Sequence, residues 1–409
     1  MRILIGMKNP PGIPWRRRWT TRVFLAFWGC VVAGGAAGAA LAGGASARIV
    51  AFVAAAGAAL AALAALLIGR RLPSAFRDFS RATQYVMEGR YTHRLPVRGA
   101  DEVAGLAESF NRMLESLQGR ERIRSTMDKV VSREIAEELL KGELRLGGEV
   151  RFSSILFADV RGFTALSEAM EPQELVAFLN EYLTLMSRVV ERHGGVVDKY
   201  IGDSVMALFG APVSHNQDAD NSLRTALEMI WCVEEFNYRR SWEGKPPVQV
   251  SVGINTGPVV AGNMGSEDRL NYTVVGDAVN LAYRLEGLTR HYDVSCLVSE
   301  YTVRECKSKL PFRELDLVRV KGRNAAVRVF ELWHQERPLE VVEEILRKFE
   351  SARRFYLLRE WDRAEVLFLQ VMELNPGDGP SRLYLDRLRE WRLVPPGDSW
   401  DGVHTAPSK

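Results

Sequence analysis

Two stretches, Phe157-Ala158-Asp159-Val160-Arg161-Gly162-Phe163-Thr164 and, further on, Asp198-Lys199-Tyr200-Ile201-Gly202-Asp203-Ser204, decide how this chain is read. Ser154-Ile155-Leu156-Phe157-Ala158 predicts a buried strand and Arg161-Gly162 a turn. Leu166, Leu175, Phe178, Leu179, Tyr182, Leu183 and Met186 then predict the apolar face of a following helix. Each stretch delivers one carboxylate, Asp159 or Asp203, from the end of an apolar run beside a glycine. Two converging carboxylates are what a pair of hard divalent cations on a polyphosphate requires. A strand that breaks at Gly162 into a helix also aims backbone amides at one point, which suits phosphate oxygens. An isolated Asp after a strand also commonly caps a turn.

The second stretch continues into Val205-Met206-Ala207-Leu208-Phe209, so Gly202-Asp203 reads as a hairpin tip between two apolar runs. Two features set it apart from a plain surface turn. Lys199 interrupts an apolar run, and a second Gly-Asp pair recurs in Tyr272-Thr273-Val274-Val275-Gly276-Asp277-Ala278-Val279-Asn280. After that pair the pattern turns helical, so Asn280 and Arg284 share a face. An amide and a guanidinium so placed can hold a phosphorus centre or a ribose oxygen, although a surface Asn/Arg pair looks the same.

In these motifs and their order, the region from about Arg151 to Leu332 resembles the class III adenylate cyclases. The resemblance implies an α+β fold, a ferredoxin-like antiparallel sheet with helices. It also implies ATP as substrate and two Mg2+ ions per site, with Mn2+ as a substitute. It assigns the metals to Asp159 and Asp203, with Val160 beside the first ligand, and the triphosphate to the amides around Phe163 and Thr164. The adenine-selecting Lys falls on Lys199 with its partner at Thr273, the transition-state pair on Asn280 and Arg284, and a terminal phosphate contact on Lys321. Many members carry Asp where this chain has Thr273. The Lys/Thr combination resembles a subgroup stimulated by bicarbonate, which makes bicarbonate a candidate effector. Guanylate cyclases of this fold place Glu and Cys-type residues at the two base-reading positions, so Lys199 and Thr273 favour ATP. A further implication is a head-to-tail homodimer in which each site draws its metals from one chain and its Lys, Asn and Arg from the other.

The reaction implied is attack of the ribose 3′-oxygen on the α-phosphorus with pyrophosphate leaving, and it needs no covalent enzyme intermediate. No Ser/His or Cys/His constellation supplies one. The remaining alternatives are a non-catalytic receptor or scaffold of the same fold, or a guanylate cyclase. A histidine kinase needs a phosphoacceptor His that is absent between His93 and His193, and a Gly-Gly-Asp-Glu-Phe signature is also absent.

The chain has 409 residues, too many for one core, and its 54 Lys and Arg nearly balance its 51 Asp and Glu, so bulk charge does not indicate a nucleic-acid binder. Arg16, Arg17, Arg18 and Arg22 precede an uncharged run from Val23 to Ala47. A second run, Ile49 to Ile68, ends at Arg70 and Arg71. Each is long enough to cross a bilayer of about 30 Å, and both Arg clusters then lie on the cytoplasmic side. This predicts a two-helix hairpin at 23–69 in a bacterial inner membrane, with a short outer turn at Gly43 to Arg48 and the catalytic domain in the cytoplasm. A cleaved signal peptide is the alternative for the first run.

At 70–121 the pattern is helix, connector, helix. Phe76, Phe79 and Val86 mark the first helix and Val103, Leu106, Phe110, Met113 and Leu117 the second, a coiled-coil spacing. With Pro73 at its entry this resembles a HAMP signalling domain, a parallel dimeric bundle. Arg120 and Arg124 continue the register, so the seam should weaken there, at the start of a helical linker (122–150, with a helix from Met127 to Leu140). The cyclase unit is expected at 151–335. Over 336–394, Phe349 to Trp391 predicts two helices resembling one tetratricopeptide repeat, packed on the catalytic domain or a partner, followed by a disordered or loosely docked tail at 395–409. The four cysteines lack metal spacing, and His193 and His291 read as helix-end or surface groups.

Overall fold

The computed structural model describes residues 27–405 except 30, 33, 37, 40–46, 99–101, 131–134, 136–146, 267–269, 320–324 and 398–399. The chain divides into two compact units, Met1–Lys129 and Val130–Lys409.

The first unit contains helix α1 (Ala47–Met87) and helix α2 (Glu102–Val130). Helix α1 runs without a break through Pro73, where the sequence pattern placed a domain entry. Ala82, Leu95 and Ala107 form a small core, and Phe79 stands edge-on to Phe110 with ring centroids 5.6 Å apart. The connector is pinned by Asn111. Its Nδ2 donates to the Leu95 carbonyl and its Oδ1 accepts from the Leu95 N–H, both at 2.9 Å, so both backbone groups of a buried residue are satisfied. Of the expected seam, Leu106 and Met113 stay exposed, while Phe76 on α1 points to solvent rather than into this core. Helix α2 passes Arg120 and Arg124 unbroken; most of the expected helix beyond Val130 lies outside the described residues.

Among the described residues no helix is long and apolar enough to cross a membrane. Much of the run 23–47 lies outside those residues, and the run 49–68 forms part of α1.

The second unit is built on one sheet in the order β2 (Val196–Ile201), β3 (Ser204–Phe209), β1 (Gly147–Val160), β4 (Val250–Gly265), β6 (Cys296–Ser299), β8 (Val327–Leu332), β7 (Phe312–Arg319), β9 (His404–Thr405), with β5 (Leu270–Val275) paired to β4. The expected antiparallel sheet is mixed: β4–β6 and β7–β9 are parallel. The first of these is possible because helix α6 (Asp277–Tyr292) intervenes in the chain, the kind of crossover that a parallel pair needs.

Successive residues of a strand point to opposite faces. Leu156, Ala158 and Val160 join Val205, Ala207 and Phe209 in a core covered by helices α4 (Pro172–Arg192) and α5 (Asp218–Trp242). Ile155 and Phe157 join Met206, Leu208, Ala278 and Ala282 on the opposite face. Asp159 follows in that second register. The chain reaches α4 through the short helix α3 (Phe163–Glu168).

After the short helix α7 (Glu300–Glu305), the C-terminal extension has three helices rather than two: α8 (Leu339–Leu357), α9 (Trp361–Leu374) and α10 (Gly379–Leu393). Val342, Ile345, Phe349, Ala352 and Tyr356 of α8 share one core with Leu285, Tyr292, Leu315 and Val329 of the sheet unit. The extension therefore packs on the cyclase-like unit. Buried Arg313 of β7 donates to Glu331 at 2.7 Å and to Asp378, just before α10, at 2.6 Å. Among the described residues of the tail, Trp400 to Thr405 are docked rather than loose. Trp400 packs edge-on against Trp391 and Tyr356, and β9 adds to the sheet beside β7.

Candidate active site

Asp159 is the penultimate residue of β1 and Asp203 occupies the tip of the two-residue β2–β3 hairpin, as the sequence predicts. The Val160 amide donates to Asp203 Oδ2 at 3.0 Å, which fixes the hairpin tip against the end of β1. Asp203 also lies within hydrogen-bonding reach of Asp159. Burial first, and then Asp203 and nearby Glu286, push the Asp159 carboxyl up to about 7, and Arg290 opposes this. Arg290 Nη2 donates to Asp159 Oδ2 at 2.9 Å.

Helix α6 delivers Glu286 and Arg290 because it lies directly on β4. A Cβ on Gly253 would meet the Glu286 backbone nitrogen at 2.1 Å, so only glycine permits this approach. Arg161 bridges the same elements, with Nε donating to Ser251 Oγ at 3.0 Å and Nη1 pairing with Asp293 at 3.1 Å. Gly162 takes φ 68° and turns the chain into α3, whose first residues are half-buried Phe163 and exposed Thr164. The first amides of a helix have no intrahelical acceptor.

The two carboxylates fit a hard divalent cation that takes its remaining oxygens from a bound phosphate, since such ions keep few protein ligands. Val160 donates its amide to Asp203, so its carbonyl is the atom left for a cation. Among the described residues no group of three or more His, Cys, Asp or Glu side chains could hold a metal by itself. The pair therefore suits an ion that arrives with its phosphate.

A second cluster joins residues far apart in the chain. Lys199 Nζ donates to Thr273 Oγ1 at 3.1 Å, and Thr273 Oγ1 donates to Asp198 Oδ2 at 3.0 Å. Lys199 Nζ also lies 3.1 Å from Asp198 Oδ2. Burial raises the Asp198 carboxyl, while Lys199 and Thr273 hold it back.

Asn280 is exposed and Arg284 half-buried on α6, and neither has a hydrogen-bond partner among the described residues. At about 100° per residue they lie on the side of α6 away from buried Ala282, Leu285 and Thr289. Lys321 falls outside the described residues. The structure thus brings together Asp159 with Asp203 and Lys199 with Thr273, and leaves Asn280 and Arg284 turned outward.

Asp198, Arg290 and Tyr182 were not singled out by sequence reasoning. Asp198 stood inside a quoted motif, but nothing in the pattern marked it as buried. Arg290 carries no local signal, because only the seating of α6 on β4 aims it at Asp159. Tyr182 read as an apolar core residue, and it is fully buried. Its hydroxyl has no hydrogen-bond partner among the described residues, and burial together with the nearby Asp159 and Asp203 charges raises its pKa.

Comparison with known proteins agrees with this arrangement. Residues 149–334 match the adenylate and guanylate cyclase catalytic domain, and residues 67–119 match the HAMP domain. The chain is 36% identical over 281 residues to an adenylate cyclase of Anabaena cylindrica, covering 65% of this chain and 55% of that protein. It is 40% identical over 177 residues to adenylate cyclase 1 of Rhizobium meliloti, covering 43% of this chain and 27% of the relative. The chain thus spans about half of the first relative and about a quarter of the second. A bacterial light-regulated adenylyl cyclase structure aligns with 25% identity and a TM-score of 0.50, over 58% of this chain and 69% of that one. On the matched motifs and the sheet that carries them, residues 149–334 belong to the class III adenylate and guanylate cyclase catalytic domain family, and residues 67–119 to the HAMP family.

Proposed function

We propose that this protein is a membrane-anchored adenylate cyclase that converts ATP to 3′,5′-cyclic AMP and pyrophosphate in signal transduction. The observation that carries the reading is the Lys199–Thr273 contact within the domain that also pairs Asp159 with Asp203. An ammonium can only donate, so Lys199 matches the N1 acceptor of adenine and opposes the N1–H of guanine. Asp159, Asp203 and the Val160 carbonyl would hold two Mg2+ ions, or Mn2+, which lower the pKa of the 3′-hydroxyl and neutralise the phosphates when bound. Amides at Phe163 and Thr164 and the Lys321 side chain would hold the triphosphate, and Asn280 would orient the ribose. Arg284 would offset charge that grows in the transition state, worth about 2 to 4 kcal/mol for a preorganised donor.

The outward position of Asn280 and Arg284 supports a homodimer with shared sites. About 100° separates successive residues of a helix, so Arg284 lies about 120° around α6 from Arg290, which meets this chain's own Asp159. A second copy would then bring its carboxylates to Arg284. The exposed Leu106 and Met113 of α2 suit the parallel HAMP bundle that would hold the two chains together. The runs 23–47 and 49–68 would anchor the chain in a bacterial inner membrane, with the catalytic unit in the cytoplasm. Bicarbonate is proposed as an effector on the strength of Thr273, and a rise in turnover on adding it at constant pH tests that.

The test of the enzyme reading is to supply the full chain with ATP or GTP, in Mg2+ or Mn2+, and separate the products. Cyclic AMP from ATP is expected. Preferential cyclic GMP formation, or no cyclic nucleotide, contradicts the proposal.

A further inference from the structure

We infer that Asp198 sets the base preference of this site by fixing Thr273 as a hydrogen-bond acceptor, an inference that rests on the cyclase reading above. Strand β2 is bulged between Val197 and Lys199, so Asp198 is an extra residue against β3. Neighbours in a regular strand point to opposite faces, whereas the extra residue of a bulge re-aims its side chain. Asp198 and Lys199, adjacent in the chain, therefore both reach Thr273.

The protons of this cluster can be counted. A threonine hydroxyl has one proton and two lone pairs, and an ammonium has three protons. Thr273 gives its proton to Asp198 Oδ2 and takes one from Lys199, which leaves one lone pair. Lys199 spends protons on Thr273 and Asp198 and keeps one. The Asp198 side chain is wholly buried, and its Oδ1 has no hydrogen-bond partner among the described residues. Its contacts with an ammonium and a hydroxyl favour the ionised form, which only accepts.

The remaining groups are one N–H on Lys199 and one lone pair on Thr273. Adenine presents an acceptor at N1 and a donor in its 6-amino group, and the cluster complements both. Guanine presents a 6-oxo acceptor, which would face the Thr273 lone pair. By itself a threonine reads either base. With its proton committed to Asp198, it reads the 6-amino group. Asp198 is thus a positioning residue that supplies the carboxylate which many relatives of this domain would carry at position 273.

The experiment measures kcat/KM of the full chain for ATP and GTP. It adds a near-isosteric pair, N6-methyl-ATP and 6-methoxypurine riboside triphosphate, which differ in whether the 6-substituent donates. The unaltered chain should use N6-methyl-ATP better, and equal use or a preference for the methoxy compound overturns the inference without any variant. Asp198→Leu, of similar size, removes the acceptor of the Thr273 proton and frees the hydroxyl to donate, so the ATP-to-GTP and methyl-to-methoxy ratios should each fall about tenfold or more. Adding Thr273→Asp, an acceptor-only group, to Asp198→Leu should restore both ratios. Equal loss for all four nucleotides would mark Asp198 as merely structural and overturn the inference. A chain that cyclises no ATP overturns the enzyme reading and this inference with it, whereas an ATP-specific chain with unmoved ratios overturns the inference alone.

Discussion

Arg290 and Asp159 form an ion pair, Nη2 to Oδ2 at 2.9 Å, at the position where the cyclase reading requires a metal ion. The guanidinium offsets the carboxylate charge in the nucleotide-free domain and competes for the same oxygen. The Arg290 side chain is about half exposed, so the pair is worth at most about 1 kcal/mol. Arg290→Met should therefore tighten nucleotide-free Mn2+ binding up to about fivefold at about pH 8, where Asp159 is ionised. Electron paramagnetic resonance of free Mn2+ measures this, and weaker or unchanged binding would show that Arg290 is no competitor.

Asp378 ties the extension to the sheet and also caps its last helix. It accepts from buried Arg313 at 2.6 Å and caps α10 by accepting from the Ser381 amide at 3.0 Å. Asp378→Ala leaves a buried cation with one partner and an uncapped helix, so stability should fall by about 3 kcal/mol. Urea unfolding of the variant checks this. A loss under about 1 kcal/mol would mean that the apolar core holds the extension without the ion pair.

Acid should release the tail. Burial, followed by Arg387, lowers the His404 imidazole to about 4, while an unfolded one titrates near about 6.5. His404 stacks on His291, whose Nε2 lies 3.3 Å from Arg387 Nη2 and must accept, because a guanidinium only donates. Between these values the free tail binds a proton that the docked tail refuses. Docking is therefore at full strength above about 6.5 and weakens as pH falls toward about 4. Hydrogen exchange at Gly402 to Thr405, corrected for intrinsic rates, should be faster at about pH 5 than at about pH 7. Equal protection would contradict the assignment.

The strand, turn and helix around Asp159 and the Gly202-Asp203 hairpin were legible because each follows from a short local pattern. The pairing of Lys199 with Thr273 was legible only through resemblance, since the two meet across distant parts of the sheet. The bulge at Asp198 was not legible, because alternation of apolar residues does not reveal one inserted position. Helix α8 starts ahead of the predicted helical stretch, and Val342 and Ile345 carry its signal there, in phase with Phe349, Ala352 and Tyr356. The docked tail had none: Trp400 and His404 find their places through a surface that exists only once β7 and α10 are packed.

The shared site is tested most directly by mixing two inactive variants of the full chain. Asp159→Ala and Arg284→Ala should each abolish cyclic AMP formation alone, since each removes a group needed in both sites of its homodimer. With random pairing about half of the dimers are mixed, and each keeps one intact site of two, so activity should return to about a quarter of the unaltered chain. An inactive mixture shown by pull-down to contain heterodimers would contradict the account.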